Sequence, residues 1–541
     1  VTEINAATMS VTRTIDLNDA LVDTGALGTV TARPALAHPR GIAVTNNGDT
    51  DESDETVYVT EFFGVNRTDT AAIPVDDSRF DVARQGIVYR FSFEGVVEGT
   101  TSLAPVASTG FPDAVAPTPN MTGCFPNQLV TATINNGRLY VSGICASPRG
   151  PTGPVLDATT GALSNGANFT TEVHTTIWAV DLATNTEHAG GPVILTREFQ
   201  DVYDGITPAI PAGDASRRMP IIPTDFAFVP SSAIGYLTAE GSDAVFRVRY
   251  DGATGALVEV GFGTAGAANN FINLAPTAGT PPPAGRLPIG LAIAPNTSGT
   301  AYVVNEATRN ISIVGLAGQA VLGAVESTPM PTAGSAEDHI LTGRRFFVTG
   351  LGRWSFRGQA WNSCESCHID GLTDNVTWTF GRGPRQSTSL DGSYGPTGSR
   401  RLFNWTAIFD EVHDFELNTR GNSGGIGAVV HVVGAPPSPA ARITFDAPAV
   451  VPAGTMATAT NQAALNGSVA SMMPGGATTP TSVLADWDRV ADYIRTIRAP
   501  NTPTNWYRPK YTTAQRIGMP VSGRIVHVLM RSAKPRRWVS G

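Results

Sequence analysis

Pro288 to Val314 reads PIGLAIAPNTSGTAYVVNEATRNISIV. Apolar and polar side chains alternate through three short runs separated by Asn, Thr and Gly, the period-two pattern of antiparallel strands joined by tight turns. Three other stretches open on a proline and keep the same rhythm: Pro39 ahead of Gly41-Ile-Ala-Val44 and Thr56-Val-Tyr-Val59, Pro126 ahead of NQLVTATINNGRLYVSGI, and Pro223 ahead of TDFAFVPSSAIGYLTAE. The prolines stand 87, 97 and 65 residues apart. Those intervals lie near multiples of the roughly 40–50 residues of one propeller blade.

The composition agrees with a β-rich chain. At 541 residues it exceeds one compact core, so at least two domains are expected. With 57 Gly and 39 Pro spread along its length, it is built for many tight turns, which excludes a coiled coil. Hydrophobic residues make up 41% and charged residues only 15%, so a sizeable interior lies under a surface of Thr, Ser, Asn, Gly and Ala. The net charge of −9 and the lack of a basic stripe exclude nucleic acid as a partner. No apolar run reaches the ~18 residues of a membrane helix, so no transmembrane segment is expected. The chain begins at Val1 without a basic-then-apolar leader, which implies either a leader removed or none.

Pro288 to Val314, with Ala301-Tyr-Val-Val-Asn305 as its second strand, resembles the YVTN-type repeat of bacterial β-propellers. The resemblance implies about seven four-stranded blades over residues 1–325; a pair of large β-sandwiches is the alternative the pattern leaves open. Residues 326–334, rich in Pro, Thr and Ser, read as a linker. Beyond them the periodicity moves toward 3.6. Ser335 followed by Asp338 marks a helix start, and Leu484, Trp487, Val490, Ile494 and Ile497 trace a second helix ended by Pro500. The expected division is a mainly β propeller at 1–325, an α-helical cytochrome c domain at 335–500, and a tail at 501–541.

Between the two helices stands Cys364-Glu-Ser-Cys367-His368. Cys-x-x-Cys-His is the spacing at which two thiols join the vinyl groups of one haem while the adjoining imidazole ligates its iron. A thioredoxin-like pair would need a βαβ surround, and a structural zinc site would need two further ligands beside Cys367 and His368. Gly343-Arg-Arg-Phe-Phe347 and Asp492-Tyr-Ile-Arg-Thr-Ile497 resemble the crossing helices of class I cytochromes c. Ser366 to Leu390 and Asn404 to Glu416 are similar to the bacterial dihaem cytochrome c peroxidase superfamily. That family carries a second Cys-x-x-Cys-His. This chain has none, so one covalent haem c is expected; Gly523-Arg524 looks like the entrance to an absent second module, or belongs to a basic surface tail.

For the sixth iron position, Met473-Pro474 resembles the class I ligand loop, with Met472 and His413 as alternatives and an open site as the fourth. Arg382 and Arg385 are candidates to pair with haem propionates, against the plainer reading as surface arginines. Seven of eight tryptophans follow the linker, which suits packing around a flat cofactor. Cys124 and Cys145 read as a disulfide, or as two buried thiols. Haem attachment by this motif and disulfide persistence both point to a periplasmic or extracellular location. The acidic run Asp49 to Glu55 reads as a solvated turn first and as a calcium loop second; its spacing fits no EF-hand. No phosphate-binding loop or hydrolase motif is present.

These readings lead to an exported electron carrier that exchanges single electrons with a redox protein donor and acceptor and uses the propeller as docking scaffold. A haem enzyme with an open distal site, peroxidase-like or acting on a small substrate, is the alternative. A homo- or hetero-oligomeric redox assembly is the third.

Overall fold

The computed structural model describes residues 1–49, 51, 53–113, 121–149, 155–156, 163–164, 169–210, 216–262, 270–275, 283–295, 299–351, 359–380, 383–394, 403, 412–415, 482–497 and 536–539. Most of the regular secondary structure among the described residues is β-sheet. Four antiparallel sheets follow one another along the chain. The first joins Pro39–Val44, Thr56–Glu61, Arg84–Ser92 and Val97–Leu103. The second is centred on Arg138–Ala146 and Val173–Asp181, with Phe125–Asn127 and Thr133–Asn135 sharing its inner edge. The third runs Pro223–Phe228, Ile234–Ala239, Ala244–Tyr250, Leu257–Val260, and the fourth Pro288–Ile293, Thr300–Asn305, Asn310–Gly315, Ala320–Glu326.

Each of the four prolines stands in the inner strand of one sheet. The intervals of 87, 97 and 65 residues therefore each hold one sheet rather than two, because the loops between strands are long. The described residues hold four such sheets, which makes the fold mostly β.

Period-two alternation stacks the sheets face to face. In Arg138–Ala146, Leu139 and Val141 join Tyr58, Val88 and Leu103 of the first sheet. Tyr140 turns the other way, onto Phe226, Phe246 and Val248 of the third. Tyr236 and Val245 then meet Ala301, Val303 and Val314 of the fourth. Inner strands are tied across sheets by Thr60 Oγ1 donating to the Leu129 carbonyl at 2.9 Å, and by Thr224 Oγ1 donating to that of Pro288 at 2.8 Å. They run so close that a Cβ on Gly41 would lie 2.7 Å from the Thr131 carbonyl carbon.

Small helices accompany the sheets: α1 (Asn18–Asp23), α2 (Arg79–Val82) and α3 (Leu195–Gly205). Through Leu21 and its neighbours Ile15 and Leu17, α1 covers the outer face of the first sheet. After the fourth sheet come α4 (Ala336–Val348), α5 (Cys364–Cys367) and α6 (Ser482–Ile494). Ser335 caps α4, its hydroxyl accepting from the Asp338 amide at 3.2 Å. The long helices α4 and α6 cross at Gly343, where any Cβ would sit 1.8 Å from the Arg489 carbonyl oxygen. Phe346, Phe347, Val490, Tyr493 and Ile494 fill the crossing. Arg536–Val539, from the expected tail, pairs antiparallel with Thr2–Asn5. No helix among the described residues is long and apolar enough to cross a membrane, and Cys124 is disulfide-bonded to Cys145.

Candidate functional site

The single turn α5 places Cys364 and Cys367 three residues apart on one short helix, with Ser366 Oγ accepting from the Ser363 amide at 3.0 Å to close its start. Cys364 borders the apolar cluster of the α4/α6 crossing, and Cys367 borders Val348 and Trp378. Both thiols are half-buried and unbonded. Removal from water pushes Cys364 up to about 12 and Cys367 well above its usual range, so both stay protonated at neutral pH.

His368 follows directly. Its Nδ1 donates to the Thr388 carbonyl at 2.8 Å, with the Leu372 carbonyl at 3.3 Å. This fixes the tautomer and leaves Nε2 with its lone pair available to a metal. Burial holds the ring below its usual pKa, so it is a neutral imidazole rather than a cation. Phe347 stands 6.5 Å away, centroid to centroid. The chain then reverses through Asp370 and Gly371, both at positive φ, where a Cβ on Gly371 would meet Ile497 at 2.3 Å.

The motif is docked on the sheets by buried polar contacts. Gln128 Nε2 donates to the Ser366 carbonyl at 2.8 Å, and Asn127 Nδ2 to that of Asp374 at 3.0 Å. Arg344 of α4 is the main ionic node: it reaches Glu306 at 2.7 Å, Glu240 at 3.1 Å and the Tyr493 hydroxyl at 3.1 Å. Arg40 of the first sheet faces Asp370 at 3.4 Å. Between α5 and the inner strands lies a cavity of about 420 Å³. Its charged lining comprises Arg40, Glu240, Glu306, Arg344, Glu365 and Asp370. Glu365 is 1% exposed; Oε1 accepts from the Asp370 amide at 2.7 Å, while Oε2 accepts no hydrogen bond. Burial pushes Glu240 up to about 8 and Glu365 well above the usual carboxylate range.

The other expected site residues divide. Arg385 lies on Gly383–Gln386, opposite Trp378, and donates to the Pro384 carbonyl at 2.8 Å. Arg382, Met472 and Met473 lie outside the described residues, as does the His413 side chain. The turn Val412–Phe415 that carries His413 packs Val412 and Phe415 against the cluster that borders Cys364. In the acidic loop, Asn47 donates to both Asp49 and Asp54 at 2.9 Å. Among the described residues no group of three or more His, Cys, Asp or Glu is spaced to hold a metal ion. Trp361 belongs to the core between the second and third sheets. Sequence reasoning missed Arg40, Glu240, Glu306, Arg344 and Glu365. Only the position of Glu365 inside the motif could have singled one of them out.

The cysteine and histidine placement fits a covalently held haem: two neutral thiols on one turn, an imidazole with its outer nitrogen satisfied, and an aromatic, apolar wall on the crossing helices.

No known family matches the sequence, and no curated protein is detectably similar to it. Among solved structures, a functionally unknown protein from Desulfotomaculum acetoxidans aligns over 55% of this chain and 58% of its own, at 12% identity and a TM-score of 0.26. Kuenenia stuttgartiensis hydrazine synthase aligns over 58% and 64%, at 10% identity and 0.31. A putative phosphatase from Bacteroides thetaiotaomicron aligns over 51% and 47%, at 13% identity and 0.23. The chain thus spans less than two thirds of each, and likenesses at this level assign it no activity.

Proposed function

We propose that the chain is an exported c-type cytochrome that carries single electrons on one covalently attached haem, with the β-sheet stack, read as part of a propeller, serving as the docking surface for its redox partners. The observation that carries this is the His368 ring, held by the Thr388 carbonyl one residue beyond a Cys-x-x-Cys turn. When bound, the haem supplies an iron that cycles between ferric and ferrous forms.

The chain's own residues do the rest. Cys364 and Cys367 would hold the porphyrin as thioethers, and His368 would present Nε2 to its iron. Thr388 keeps that ring from rotating. Phe347, Tyr493 and Ile494 exclude water from one side of the pocket, which favours the less charged state of a buried centre. The Cys124–Cys145 disulfide supports the compartment, because such bonds persist where covalent haem is installed.

The test is covalent retention of colour. Protein matured with the haem-attachment machinery should keep its pigment through acid–acetone extraction and stain for haem on a denaturing gel, and Cys364→Ala with Cys367→Ala should abolish the stain. A colourless wild-type chain, or one whose pigment extracts, ends the reading. Carbon monoxide added to the reduced protein separates carrier from enzyme: an unchanged spectrum marks a six-coordinate carrier, and rapid binding marks an open site.

A further inference from the structure

The cavity between α5 and the inner strands is a built chamber that the haem reading does not use. Four carboxyl groups (Glu240, Glu306, Glu365 and Asp370) face it, against two guanidinium groups, Arg40 and Arg344. The two arginines are already engaged, Arg40 with Asp370 and Arg344 with Glu240 and Glu306. Glu365 keeps one oxygen without a hydrogen-bond donor in a position almost wholly removed from water. A buried carboxyl oxygen without a hydrogen-bond partner costs free energy that a cationic donor delivered from outside would recover, the added charge drawing the group to its ionised form. Apart from Gln128 and Thr224, the uncharged side chains of the wall are apolar, Ile144, Ile222 and Ile289 among them.

This lining distinguishes between kinds of cation. A bare divalent ion needs several oxygens converging at about 2.0–2.6 Å, and no such group of three acidic or His/Cys side chains occurs among the described residues. At about 420 Å³ the chamber is also roomier than a single ion requires. An ammonium group on a short aliphatic chain satisfies both halves of the lining: the charged head donates to Glu365 and the methylenes lie on the isoleucines.

The geometry points to a binding site for a small protonated aliphatic amine in the chamber under α5, with Glu365 Oε2 as its principal acceptor. The inference concerns a site other than the haem pocket and does not depend on haem being bound. Because Glu365 sits between Cys364 and Ser366, occupancy is felt by the turn that carries the Cys-x-x-Cys-His motif.

Isothermal titration of the full-length, matured protein tests it with 1,4-diaminobutane and butylamine as probes, and 1-butanol, calcium and magnesium as comparisons. Saturable binding of the amines is expected, with no competition from 1-butanol or either metal. Glu365→Gln should weaken amine binding at least tenfold. Val304→Trp, which narrows the chamber from the fourth sheet and lies far along the chain from the haem motif, should do the same. Val304 is partly exposed, so this variant keeps the test intact if Glu365→Gln disturbs maturation. Failure of both amines to bind, equal affinity in the variants, or displacement of the amines by calcium would overturn the proposal. Haem colour read on the same samples keeps a failure here distinct from a failure of the cytochrome reading.

Discussion

At the scale of single residues, the chemistry of the site depends on hydrogen-bond partners that no motif records. His368→Ala should leave the pigment attached through Cys364 and Cys367 while removing the native low-spin spectrum, which optical spectra of the reduced variant would show. Thr388, whose carbonyl holds the ring, is not identifiable in sequence because any residue supplies a carbonyl. Away from the site, Glu172 is buried against Asn362 Nδ2 at 2.9 Å, and loss of hydration pushes it up to about 8 from a usual value of 4.5. A raised carboxyl pKa means the folded state holds a proton that the unfolded state has already lost. The associated stability is full below pH 4.5 and falls as pH rises toward 8. Glu172→Gln should flatten that fall, as read from urea midpoints across the same range. His174 has the opposite sign: burial lowers it to about 4 from 6.5, so its contribution is full above 6.5 and lost as pH falls through that interval.

Among the elements, the helix crossing was legible and the chamber was not. Ser335 and Asp338 announced the start of α4, the three-and-four spacing from Leu484 to Ile497 announced α6, and both lie where those signals put them. Gly343 stood out because an aromatic pair follows it, and the structure gives the reason in the approach of the Arg489 carbonyl. Gly343→Ala should therefore cost about 3 kcal/mol by denaturant unfolding, the upper end of the usual overpacking range. The four inner strands were legible from their prolines, yet the blade count was not, because a spacing of 87 or 97 residues cannot distinguish two short blades from one blade with long loops. The chamber was illegible for a different reason. Its charged residues come from three separate sheets, α4 and the α5 turn, and nothing in the local pattern of any one of them marks it as facing the others.

For the whole molecule, the sheets and the helices are built as one interlocked body. The Cys124–Cys145 bond closes a loop with a sequence separation of 21 inside the second sheet and its approach. The double variant Cys124→Ala, Cys145→Ala should lose about 3 kcal/mol in the chain-entropy account, measured by denaturant unfolding against wild type. Compositional signals gave a β-rich chain, and that much holds. What they could not convey is how firmly the C-terminal helices are fastened to the strands. Arg344 joins α4 at once to the third sheet through Glu240, to the fourth through Glu306, and to α6 through Tyr493. With such a rivet in place the two halves are expected to melt together. Scanning calorimetry should record a single endotherm, and Arg344→Met should split it in two.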